Sequence, residues 1–151
     1  MPERSCVDNE VTFHLIEDPS RMSPFLSKFS GPLYAAMRFM AGFVYLCHGA
    51  QKLLGAFGGM DVAGKPLFMA GGIIELVGGS MIALGLLTPI AAFICSGEMA
   101  VAYFMFHFPG GFWPIMNHGE TPVLLSFTFL YISAHGSGAL SVDGMLRKAR
   151  T

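Results

Sequence analysis

Four long apolar stretches, each with polar or ionisable side chains set into its interior, constrain this chain more than any other feature. The second reads Gly72-Ile73-Ile74-Glu75-Leu76-Val77-Gly78, a carboxylate among aliphatic residues and glycines. The third carries Glu98 between Ser96-Gly97 and Met99-Ala100-Val101, and the first carries Arg38, His48 and Lys52. A charge near the centre of a bilayer costs several kcal/mol, so residues placed there face a partner or a cavity and are functional candidates. Only 13% of the 151 residues are charged, against roughly 25% in soluble domains, so the chain reads as an integral membrane protein. A net charge of -1 excludes the basic stripe of a nucleic-acid binder. Three cysteines, Cys6, Cys47 and Cys95, form no CxxC, and no disulfide framework or zinc site is legible.

The expected fold is all-α, a membrane four-helix bundle in one domain. Its helices are expected at about 34–56, 67–87, 90–108 and 121–136. Residues 1–32 are polar and punctuated by Pro19, Pro24 and Pro32, and read as a cytoplasmic tail. Acidic residues interrupt any signal-peptide core there. Phe13, Leu15 and Ile16, with Phe25, Leu26 and Phe29, are candidates for resting on the membrane surface, an undocked tail being the alternative. The core domain is 33–145, and 146–151 form a basic C-terminus. The fourth segment, about 24 Å long as a helix, is short for a full crossing. Basic residues set the orientation: Arg21 and Lys28 precede the first segment, and Arg147, Lys148 and Arg150 follow the fourth. Both termini are therefore expected in the cytoplasm of a bacterium or archaeon, with the chain a multi-pass protein of the inner membrane.

That topology places the buried charges at similar depths. His48 and Glu75 lie roughly 12 Å, and Glu98 roughly 15 Å, from the outer ends of their helices. Lys52 is nearer that surface, with a stem that reaches down. Arg38, Tyr45, His48 and Lys52 share one helical stripe. Gly71, Gly78 and Gly79 flank Glu75 and let another backbone approach. One intramembrane polar site of His48, Lys52, Glu75 and Glu98 is expected, with His107, His118 and Glu120 at its mouth. Arg38, near the inner end, is expected to snorkel as an inner-face anchor. His107, His118 and Glu120 match no firm metal-ligand spacing, and no metal site is assigned.

A carboxylate–histidine group of this kind passes protons to a reducible ligand such as a quinone. It carries no electrons, and the sequence has no haem, flavin, iron–sulfur or dithiol signature, so electrons would come from a ligand or partner. No covalent cofactor is expected; quinone or lipid is the candidate ligand. A structural network fixing helix register, and a proton or ion pathway, remain open as readings of the same residues.

The order and spacing of several pieces carry a family resemblance. They are Arg38 with His48-Gly49-Ala50-Gln51-Lys52-Leu53; Glu75-Leu76-Val77-Gly78-Gly79 through Leu84-Gly85-Leu86-Leu87-Thr88; and Glu98-Met99-Ala100-Val101-Ala102-Tyr103. After these come His107, Asn117-His118-Gly119-Glu120, Gly136-Ser137-Gly138 and Ser141-Val142-Asp143. Over residues 33–145 the chain resembles the DoxX family of small four-helix membrane proteins. The resemblance implies a quinone-linked or sulfur-redox setting, as a stand-alone protein, a homo-oligomer or a subunit of a membrane complex. It assigns no catalytic residue. Absent paired membrane cysteines speak against a dithiol mechanism. A non-catalytic accessory subunit and a small transporter stand as alternatives.

Overall fold

In the computed structural model, residues 25–60 and 62–149 are described. Most of the polar tail, with Cys6, Phe13, Leu15, Ile16 and Arg21, lies outside the described residues, as do Asp61 and Arg150. The chain divides into two compact units, Met1–Ser30 and Gly31–Thr151. In the first, Ser27–Phe29 form a single 3-10 turn.

The described residues are helical and contain no strand. Helix α1 spans Ser30–Leu54 and stops at Gly55, whose φ of +67° reverses the chain. Helix α2 spans Pro66–Leu84, with Pro66 in the first turn, where its missing N–H costs nothing. It closes in a Schellman motif: Gly85 (φ +73°) donates to Ile82 O and Leu86 N donates to Met81 O. Helix α3 follows after three residues and spans Thr88–Ala102. It continues as one π turn, Tyr103–His107, and one 3-10 turn, Phe108–Gly110. A helical turn at Pro114–Asn117 leads to α4, Glu120–His135, and a short α5 spans Val142–Lys148.

Among the described residues two helices are long and apolar enough to cross a membrane, Pro66–Leu84 and Thr88–Gly110. Helix α1 is longer but carries Arg38, His48 and Lys52, and α4 has only 16 residues. All four contribute to one core: Tyr34 and Tyr45 from α1, Ile82 from α2, Cys95 and Met99 from α3, Phe129 and Ile132 from α4.

The helices meet through small residues. A Cβ added to Gly42 would strike Gly79 O, and one on Gly79 would strike Gly42 O. One on Gly49 would strike Gly72 O. The pairs 42/79 and 49/72 share one antiparallel register, so α1 and α2 touch backbone to backbone. Helices α3 and α4 are joined by reciprocal bonds, Ser96 Oγ to Ser126 O (2.8 Å) and Ser126 Oγ to Ser96 O (3.1 Å). Ser133 Oγ adds a bond to Pro89 O in the same register. Each of these hydroxyls donates to a backbone carbonyl of the facing helix.

At the end where α2 turns into α3, α5 closes the fold. Asp143 accepts bonds from the Leu87 and Thr88 amides and the Thr88 hydroxyl, capping the start of α3 from a distant part of the chain. Its own amide donates to Gly85 O.

The same end corrects the expectation for Arg38. Rather than snorkelling, it is 1% exposed, and its guanidinium donates to Ile82 O, Ala83 O and Leu140 O. The carbonyls that end α2 lack intrahelical partners and carry the negative end of its dipole, so they attract a cation more strongly than the surface does.

Candidate functional site

Helix α1 places His48 and Lys52 one turn apart, α2 presents Glu75, and α3 presents Glu98. They line one cavity of about 630 Å³. Its remaining polar wall is His107, His118 and Thr121, and its apolar wall includes Leu67, Phe68, Ile74, Ile94, Met99 and Phe106. Glu120, expected at the mouth, is exposed at the first position of α4 and is not part of the wall; Thr121, next in sequence, is.

The two carboxylates have different partners. Lys52 Nζ donates to Glu75 Oε1 at 2.6 Å, with side-chain exposures of 16% and 3%. Glu75 Oε2 is buried with no hydrogen-bond partner among the described residues. Glu98 is only half-buried, and its Oε2 accepts from the Tyr45 hydroxyl at 2.7 Å. Tyr45 is fully buried and stacked edge-on against Phe129, so that hydroxyl is fixed. Sequence reasoning put Tyr45 on the correct stripe but did not count it in the site; a phenol on the face that carries His48 and Lys52 was the available signal.

The π turn carries His107 to the cavity. One residue more per turn rotates the helix end, and such turns concentrate at functional sites. His107 Nδ1 donates to Asn117 O at 3.1 Å, which leaves Nε2 as an acceptor when the ring is neutral. Asn117 is itself buried, donating to Gly111 O (2.6 Å) and accepting from the Gly119 amide (2.8 Å). Sequence reading missed this organising role of Asn117, because nothing local marks an asparagine that closes a loop across six residues.

The arrangement offers a closed Lys–Glu pair, a second carboxylate with a fixed phenol donor, and histidines around the opening. It suits hydrogen bonding to a small polar head group inside apolar walls. Among the described residues no group of His, Cys, Asp and Glu is placed to hold a metal ion.

The DoxX family model matches residues 33–108. The chain belongs to the DoxX family. With helices apolar enough to cross a bilayer, it is a DoxX-family membrane protein. The matched stretch contains Arg38, His48, Lys52, Glu75, Glu98 and His107, and ends before His118 and α4. The chain is similar to an uncharacterized protein of Haemophilus influenzae, at 38% identity over 82% of this chain and 97% of that one. It is similar to an uncharacterized membrane protein of Mycobacterium tuberculosis, at 27% identity over 80% and 85%. It is also similar to a Bacillus subtilis protein bearing the name "Putative oxidoreductase CatD", at 29% identity over 76% and 87%. No solved structure matches this DoxX chain.

Proposed function

We propose that this chain is a redox-associated protein of a bacterial or archaeal cytoplasmic membrane that binds a quinone-like small molecule in the polar cavity. In this reading α1 to α4 all cross the bilayer and both termini are cytoplasmic. The cavity carries the reading: about 630 Å³, with two carboxylates, a lysine and three histidines inside apolar walls. That volume falls within the usual range for small-ligand sites. The charges that lower the apolar character of α1 are internally matched, Arg38 on carbonyls and Lys52 on Glu75. The polar groups of α4 are likewise turned onto backbone, Ser126 and Ser133 toward α3 and Thr128 onto Leu124 O. The Bacillus subtilis relative's name as an oxidoreductase is consistent with a redox setting. A quinone-type ring offers carbonyl or hydroxyl groups to Glu98 and the histidines, and its apolar tail suits the remaining wall. Electrons would come from the ligand or from a partner protein in a complex.

Equilibrium binding of a decyl-benzoquinone to the protein in phosphatidylethanolamine/phosphatidylglycerol nanodiscs tests this. Saturable binding above empty nanodiscs is expected. Glu98→Ala should weaken it about tenfold, the loss of the hydrogen bond that the protonated carboxyl donates to a ring carbonyl. Partitioning equal to that of empty nanodiscs overturns the reading. The alternative is a non-catalytic accessory subunit, favoured by the closure of the Lys52–Glu75 pair on itself. In that case Glu75→Gln lowers accumulation of the protein and its complex and affects nothing else.

A further inference from the structure

The α2–α3 hairpin is tight near its turn and open beside the cavity. At Gly78 the place of a side chain is taken by the Cys95 sulfur. About two helical turns farther from the hairpin turn α2 has Gly71, and about one turn farther α3 has Glu98, whose carboxylate extends to Gly71. A Cβ on Gly71 would meet one atom only among the described residues, Glu98 Oε1 at 3.2 Å. Over this gap the rings of Phe68 on α2 and Phe106 in the π turn lie 4.9 Å apart. Leu67, Ile94 and Val101 line the cavity yet are 47%, 52% and 50% exposed. On helices that cross a bilayer, such side chains face acyl chains. The wall between α2 and α3 is thus apolar outside and acidic inside, with one absent side chain between the two.

The carboxylates are not equivalent across that wall. Glu75 has Oε1 on Lys52 and a side chain 3% exposed. Glu98 is half-buried, with Oε2 on Tyr45 and Oε1 beside Gly71. Glu98 is the acid that faces the gap.

We propose that the gap beside Gly71, beneath the Phe68–Phe106 ring pair, is a lateral portal through which a lipid-dissolved ligand enters from the bilayer. Its polar head reaches Glu98 Oε1 and its apolar tail lies between α2 and α3. Gly71 is then the residue that sets access, and the ligand class is a membrane-soluble ring compound with a long tail. This rests on the cavity being the site of a quinone-like ligand.

The test compares two probes in the same nanodiscs, decyl-benzoquinone and the tail-less ring, on wild type, Gly71→Ala and Gly71→Leu. Alanine is the stronger helix former, so Gly71→Ala keeps the fold while crowding Glu98 Oε1. Leucine fills the gap. The expected result is a graded fall in affinity for the tailed probe, several-fold in Gly71→Ala and larger in Gly71→Leu. The tail-less ring, free to enter from water past His48 and His118, falls less. Equal loss of both probes, or no loss of either in Gly71→Ala and Gly71→Leu, overturns the portal. Failure of wild type to bind either probe overturns instead the reading of the cavity on which the portal depends.

Discussion

Lys52 and Glu75 show why a buried charge is not by itself a site. The lysine of α1 and the carboxylate of α2 neutralise each other at 2.6 Å, and each loses more from an absent partner than it gains from a present one. Replacing Lys52 by Met strands a carboxylate with a 3% exposed side chain and should cost about 3 kcal/mol of stability. Glu75→Leu, which strands the better-hydrated lysine, should cost less. The double variant should recover most of the loss, which melting of the three purified variants in one detergent will show. Strict additivity of the two single effects would mean the pair is not coupled. Arg38 follows the same logic without a carboxylate, since its planar fork serves carbonyls that a lysine's point charge cannot match as a set.

Elements here are held by what each end requires. Helix α2 ends on Gly85 because the Schellman turn needs a positive φ, and a Cβ there would collide with Ser141 and the Arg38 guanidinium. Helix α3 begins without a cap from its own segment, Leu87 lying at φ +46°. Asp143 supplies the cap. Burial works against the charge of Asp143, but the Thr88 and Leu87 amides and the Thr88 hydroxyl outweigh it and hold the carboxyl below its ordinary value. A depressed folded value stabilises the protein above the unfolded aspartate range. That contribution is lost as pH falls below about 4 toward the folded value. Asp143→Asn should therefore lower the melting temperature at neutral pH and flatten its acid slope. An unchanged slope from pH 6 to 3, on the same aspartate scale, would show that the cap does not contribute.

At the scale of the molecule, the proposed topology assigns the two ends opposite surroundings. The Asp143–Gly85 end carries Arg147 and Lys148, and the cavity end carries His107, His118 and the loop after α1. Basic residues are retained on the cytoplasmic side. Alkaline-phosphatase fusions after Gly64 and Gly110 should be active, and one after Lys148 inactive. Activity at Lys148 would invert the molecule and place the cavity on the cytoplasmic side. Exposed Phe93, Ile94, Phe104 and Phe127 are consistent with a lipid-facing perimeter in either orientation.

The amino-acid sequence alone determined the helical class, the approximate helix positions and the identities of the polar residues, because hydropathy and helical period are local properties. His48, Lys52, Glu75 and Glu98 stood out since charges in apolar runs are rare for a solvation reason that needs no coordinates. It also marked Gly78 and Gly79 as packing positions. Only the tertiary structure decided which groups pair: Lys52 with Glu75, Tyr45 with Glu98, Arg38 with the end of α2, Asp143 with the start of α3. It likewise set Gly42 against Gly79 and left Gly71 open to Glu98. Those choices depend on the relative rotation and register of helices distant in sequence, and a periodic pattern specifies the face of one helix without naming the face it meets.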